Sequence, residues 1–255
     1  MLSRAEERLV QSLARRKVRE REGRFVAEGV RVVEELLGAG LVPELALVSP
    51  TLEETERGRR LARALHGPAL RRVGDGELAR LADTETPQGV LVVAPVPHAE
   101  LSDVGREGGP ALVLDGVQDP GNFGTLLRTA AAFGAAAVVA LPGTVDPWNP
   151  KAVRATAGTC FRVPIMQTVP EALLSWARQR GFTLLGADAG GTPVDAVAVP
   201  ERLALVVGNE GAGLSPEVAA GVAFRVAIPM RAAESLNVAV AAGILLYLMT
   251  RKATP

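Results

Sequence analysis

The chain has 255 residues but only one cysteine, two histidines and three lysines. A lone Cys160 excludes an intramolecular disulfide framework and any CxxC metal site or redox pair, and its expected role is that of a small buried hydrophobe. Both histidines, His66 and His98, fall in the first hundred residues, which argues against histidine catalysis in the second half. The N-terminal stretch has no apolar signal-peptide core. The longest apolar run, residues 236–249, is short for a bilayer and contains Asn237. A soluble, cytoplasmic protein without membrane contact is therefore expected. No P-loop, HExxH, Ser-His-Asp arrangement, dinucleotide fingerprint GxGxxG or fixed-period repeat occurs, so a nicotinamide-dependent oxidoreductase lacks its signature. Net charge is zero, 28 basic against 28 acidic residues, and predicts no partner. Lys17, Lys151 and Lys252 are the only lysines, leaving 25 arginines among the 28 cations. Arginine forks onto phosphate and stacks on bases, but a genome rich in G and C gives the same bias.

What is present divides near residue 100. Residues 98–110, with Pro95-Val96-Pro97 before them and Gly105, Gly108 and Gly109 within, have linker composition. Before them, Ser3 and Glu6 fit a capping box, with Leu9, Val10 and Leu13 as the apolar stripe of the helix it starts. Arg15, Arg16, Lys17, Arg19, Arg21 and Arg24 crowd that helix's end, either as a phosphate-attracting cluster or as a solvated face suited to a helix C-terminus. Strands are expected at 24–27, 45–48 and 89–94, and helices over the Val30–Val33–Leu36–Leu37 stripe, 53–65 and 76–81. This is a small α/β domain. The second part alternates more regularly, with apolar strands at 111–114, 137–141, 182–185, 203–207 and 225–228 and helices at 123–133, 150–157, 170–180, 216–220 and 235–249. Strands this apolar require cover on both faces, which implies a mostly parallel sheet flanked by helices.

Three polar or glycine-rich segments follow apolar strands of that sheet, where ligands of open α/β folds collect. The first is Asp115-Gly116-Val117-Gln118-Asp119-Pro120-Gly121, leading to Asn122, a candidate helix N-cap, and to Arg128 about one and a half turns on. An arginine beside Leu126 and Leu127 needs solvent or an anionic partner, the latter either a structural acid or a substrate phosphate. The second is Gly208-Asn209-Glu210-Gly211-Ala212-Gly213-Leu214, whose glycines permit close backbone approach and whose only charge is Glu210. The third is Ile228-Pro229-Met230, followed by Glu234-Ser235-Leu236-Asn237.

In this order and wording the segments closely resemble the SpoU/TrmH branch of the SPOUT RNA methyltransferases, over residues 111–247 or so. Residues 1–97 resemble, more loosely, the ribosomal-protein-like substrate-binding domain often fused ahead of such enzymes, through Arg24-Phe25-Val26-Ala27-Glu28-Gly29 and Pro87-Gln88-Gly89-Val90. The resemblance implies a methyltransferase domain over 111–255 with a deep trefoil knot, S-adenosylmethionine as cofactor, no metal and a homodimer. The implied reaction is methyl transfer to a ribose 2'-hydroxyl of structured RNA, with ribosomal RNA favoured over transfer RNA because of the first domain. Cofactor-binding positions map onto Ala187, Gly208, Asn209, Ile228, Met230 and Leu236, and catalytic ones onto Asn122, Arg128, Glu210, Ser235 and Asn237. The family assigns activation to the motif-one arginine. Because a guanidinium stays protonated in proteins, Arg128 is expected to bind an RNA phosphate and stabilise the developing alkoxide rather than act as base. Glu210 positions RNA or cofactor groups or, as the rival reading, acts as the base, Asn122 and Ser235 orient ribose or arginine, and Asn237 braces its turn. Two departures from the family pattern are Phe123, where an aliphatic residue is usual, and the short Arg231-Ala232-Ala233 loop. The alternative in another class is a non-catalytic RNA-binding protein that keeps the fold.

Overall fold

In the computed structural model, which describes residues 2–104 and 108–253, the chain begins with the capping box its sequence encodes. Ser3 Oγ accepts the Glu6 amide at 3.2 Å and the Glu6 carboxylate accepts the Ser3 amide at 2.7 Å, starting α1 (Arg4–Ser12). The chain then breaks before α2 (Arg16–Glu22), because Arg19 turns back and donates to the Leu13 and Ala14 carbonyls at 2.7 and 2.8 Å. These are carbonyls that a continuing helix would have used. The basic cluster at 15–24 is largely neutralised. Arg16 pairs with Glu20, Arg21 with Glu22 and Arg24 with Glu44, while Arg19, 3% exposed, donates its Nε to Asp146 at 2.8 Å.

Two compact units result, residues 1–97 with 146–162, and 98–145 with 163–255. Of the expected linker 98–110, residues 105–107 lie outside the described residues. The first unit holds β1 (Arg24–Glu28), α3 (Val30–Gly38), β2 (Leu45–Val48), α4 (Glu56–Ala64), β3 (Leu70–Arg72), α5 (Asp75–Ala79) and β4 (Val90–Pro95). Its sheet runs β1-β4-β2-β3, with only the β2–β3 pair parallel. Val26, Leu45, Leu47, Leu91 and Val93 pack with Val10 of α1 and with Leu13 at its C-cap. Phe25, on the alternate side of its strand, meets Trp148 and Phe161 at ring-centroid distances of 5.0 and 5.8 Å. Those two rings flank α7 (Pro150–Ala155), so a segment from the middle of the chain completes this unit. Cys160 lies in it as well, and burial pushes its thiol pKa up to about 12.

The second unit holds β5 (Ala111–Asp115), α6 (Pro120–Ala132), β6 (Ala137–Ala140), β7 (Ile165–Gln167), α8 (Pro170–Arg180), β8 (Thr183–Pro193), β9 (Leu203–Gly208), α9 (Pro216–Gly221), β10 (Phe224–Ala227) and α10 (Val238–Ala253). Its six strands run β10-β8-β9-β5-β6-β7 and every neighbouring pair is parallel. One face packs Val113, Val139 and Val206 against Leu173, Trp176 and Ala177 of α8. On the other side α6 and α10 pack together, with α6 against β6 and α10 against β9. This is the helix-flanked parallel sheet that doubly apolar strands require. The last helix starts at Val238 rather than at the expected residue 235, because Asn237 caps it: its Oδ1 accepts the Ala239 and Val240 amides at 2.9 and 3.3 Å. Among the described residues no helix is long and apolar enough to cross a membrane.

Candidate functional site

Parallel strands deliver their carboxyl ends to one edge of a sheet, and here β5, β9 and β10 bring the polar segments together. At the end of β5, Asp119 rather than Asn122 is the N-cap of α6. Its Oδ1 accepts the Asn122 amide at 2.7 Å, and Pro120 occupies the first turn, where its missing N–H costs nothing. Asn122 thus lies inside the helix with its side chain released from capping. Its Nδ2 donates to Glu210 Oε1 at 2.9 Å and its Oδ1 accepts from Asn237 Nδ2, also at 2.9 Å. One residue from each of the three segments therefore shares a single hydrogen-bonded chain.

The glycine-rich turn after β9 is built by Asn209. Its Oδ1 accepts the Gly211 and Ala212 amides at 2.9 and 3.0 Å, and its Nδ2 donates to the Gly116 carbonyl at 2.8 Å, tying the turn to the loop after β5. A second tie runs from the Ser215 amide to the buried Asp115 carboxylate, 2.6 Å. Gly208 permits this fold-back, since a Cβ there would lie 2.3 Å from the Gly213 carbonyl carbon.

These elements line an open cavity of about 580 Å³. That volume suits a nucleoside-sized cofactor. All six expected cofactor positions, Ala187, Gly208, Asn209, Ile228, Met230 and Leu236, line it, as do Glu210, Ser235 and Asn237. Asn122 does not line the cavity but is bonded to two residues that do. Arg128 stands apart: six residues beyond Asn122, it leaves α6 about 9 Å along the axis and about 120° around it. It is exposed, and among the described residues it has no ion-pair partner. Phe123, the departure in this helix, is fully buried in the core. Among the described residues no group of three or more His, Cys, Asp or Glu side chains could hold a metal ion.

Asp188, a second carboxylate on the cavity wall, is not among the residues expected from the sequence. The available signal was an acid directly after the apolar run Leu184-Leu185-Gly186-Ala187, but β8 was expected to stop at 185 and instead extends to Pro193.

Comparison with known proteins agrees with this geometry. The SpoU rRNA methylase family profile matches residues 109–247, and a profile for the MRM3-like substrate binding domain matches residues 8–92. The 23S rRNA (guanosine(2553)-2'-O)-methyltransferase RlmP of Bacillus subtilis is 34% identical over 235 residues, covering 91% of this chain and 90% of that protein. The SpoU methyltransferase AviRb of Streptomyces viridochromogenes, solved in complex with the cofactor AdoMet, superposes with a TM-score of 0.88 at 28% identity, covering 98% of each chain. The AdoMet-bound rRNA methyltransferase of Sinorhizobium meliloti gives a TM-score of 0.85 at 29% identity, covering 100% of this chain and 97% of that one. With its methylase domain matched, relatives aligned along nearly its whole length and its three strand-end motifs joined around one cavity, the chain belongs to the SpoU family of RNA methyltransferases.

Proposed function

We propose that this protein transfers a methyl group from S-adenosylmethionine to a ribose 2'-hydroxyl of structured RNA, with ribosomal RNA favoured over transfer RNA. The observation that supports this reading is the cavity itself: the six positions that the resemblance assigns to the cofactor line it, beside the Asn122–Glu210–Asn237 chain. When bound, the cofactor supplies an electrophilic methyl group on a sulfonium. The chain supplies position and charge. Gly208, Ile228, Met230 and Leu236, with Ala187 and Asn209, hold the cofactor largely through backbone groups. Glu210 places a negative charge at the cavity wall, favourable to a cationic cofactor. Asn122 is fixed at both ends of its amide, and with Ser235 it orients the ribose, while Asn237 braces the third motif. Arg128, exposed and without an acidic partner among the described residues, takes an RNA phosphate and stabilises the negative charge developing on the attacking oxygen.

Residues 1–97 serve as the RNA-binding domain, 98–110 as linker and 111–255 as the methyltransferase domain. The C-terminal third forms a trefoil knot. The strand order supports that reading, since the chain passes from β8 to β9 and returns beyond β8 to β10 before α10 packs on β9. A crystal structure in which no loop encircles the final segment would overturn it. The protein works in the cytoplasm as a homodimer, supported by Val240 and Tyr247, which lie seven residues apart on one side of α10 at 49% and 46% exposure. Mapping 2'-O-methyl groups in a strain lacking the protein tests the function and identifies the substrate. One ribosomal RNA site should lose its methyl group and regain it on complementation; unchanged methylation of every RNA would refute the proposal.

A further inference from the structure

The pairing of β8 with β10 contains an unusual step. Leu185 and Gly186 pair with Phe224 and Arg225, but the next residue of β10, Val226, pairs with Thr192. Residues 187–191 therefore form a five-residue bulge within β8, an excursion from its register with β10, and Ala187, Asp188 and Ala189 line the cavity. The excursion is pinned in place. Asp188 Oδ2 accepts Arg225 Nη1 at 2.9 Å, and Asp188 Oδ1 accepts the Gly190 amide at 2.8 Å. Gly191 packs so tightly that a Cβ would lie 2.6 to 2.8 Å from the Arg225 and Val226 backbone. A carboxylate offers about four acceptor positions and these bonds use two, leaving a fixed acceptor at the wall. The Asp188 side chain is 33% exposed.

We propose that Asp188 accepts hydrogen bonds from the vicinal hydroxyls of the cofactor's nucleoside ribose, an inference that rests on the methyl-donor reading of this cavity. Two features select the diol over the cofactor's cationic groups. First, Asp188 is already charge-compensated by Arg225, whereas the cavity's other carboxylate, Glu210, has among the described residues only the neutral Asn122 amide as a side-chain partner. The sulfonium and ammonium groups are drawn to the uncompensated carboxylate, leaving the neutral hydroxyls to Asp188. Second, sheet order separates the two acids. Glu210 follows β9 and bonds towards α6, on the β5 side, while Asp188 lies in the β8 bulge on the β10 side. An acid beside a strand end reading ribose hydroxyls is a recurrent solution in nucleotide-binding α/β sheets.

Calorimetry with S-adenosylhomocysteine, its 2',3'-dideoxy analogue and its desamino analogue tests this on wild-type protein and on the Asp188→Ala and Asp188→Asn variants. Wild type should bind the dideoxy analogue roughly ten- to hundredfold more weakly than the parent, the range for hydrogen bonds to a charged group. Each variant should lose a similar factor for the parent and for the desamino analogue, yet bind the dideoxy analogue within about twofold of wild type. Equal weakening of all three ligands would assign Asp188 to holding the excursion, and a loss confined to ligands bearing the amino group would assign it to the ammonium; either overturns the proposal. Absence of S-adenosylhomocysteine binding by wild type would instead overturn the methyl-donor reading beneath it.

Discussion

Replacing Gly208 with alanine probes the cavity at its tightest backbone crossing. The new Cβ would lie 2.3 Å from the Gly213 carbonyl carbon, 2.4 Å from its oxygen and 2.6 Å from the Leu214 nitrogen. Carbon contacts settle near about 3.5 Å, so strand and turn must part by about 1 Å. None of the three atoms belongs to a flexible side chain, and what yields is the Asn209–Gly213 pairing, whose two backbone bonds are 2.9 and 3.0 Å. Overpacking of this kind costs about 1–3 kcal/mol, a Tm decrease of roughly 2–12 °C for a chain of this size. The protein should still fold. Cofactor affinity should fall about tenfold through displaced backbone partners, and the methyl-transfer rate about a hundredfold, because reacting groups placed 1 Å off lose that much. Calorimetry with S-adenosylhomocysteine, a thermal melt and a tritium-transfer assay read the three effects. Wild-type affinity and rate in Gly208→Ala would refute the claim that this turn forms the cofactor site.

Arg128→Ala should leave cofactor affinity within about twofold while lowering methyl transfer roughly 100- to 1000-fold, the scale of a lost charge-stabilising donor; full activity would remove Arg128 from the mechanism. Asp146→Ala leaves the Arg19 guanidinium, 3% exposed, without its carboxylate and should cost about 3–5 kcal/mol in urea unfolding, much of it regained in Arg19→Met/Asp146→Ala. A single-variant loss below about 1 kcal/mol would show the pair to be dispensable. Sedimentation should give a dimer that Val240→Glu with Tyr247→Glu converts to monomer, whereas a fully active wild-type monomer would contradict the proposed assembly.

Much of the fold was legible where local chemistry decides it. The Ser3–Glu6 box, the doubly apolar runs of β5, β6 and β9, and the Pro150 and Pro170 helix starts all read directly from sequence. Short or half-exposed elements did not. β3 is three residues long with Arg71 and Arg72 in it, and β7 is three residues at a sheet edge; neither has a periodicity to detect. The break between α1 and α2 depends on Arg19, whose partner Asp146 is 127 residues away, so nothing local could reveal it. Asn122 is not the expected cap because Asp119-Pro120 offers an equally good start three residues earlier, and the consequence is chemical: free of capping, the Asn122 side chain links Glu210 to Asn237. The site's residues came from three motifs read together, whereas their bonding pattern, and the excursion that carries Asp188, required coordinates.

The most direct test of the account is to incubate the protein with tritiated methyl donor and ribosomal RNA, then digest the RNA in alkali. A 2'-O-methyl group blocks cleavage of the adjacent phosphodiester, so the label should appear in alkali-resistant dinucleotides. Label in mononucleotides would place the methyl on a base, and no incorporation into any RNA would contradict the assignment of this site to ribose methylation.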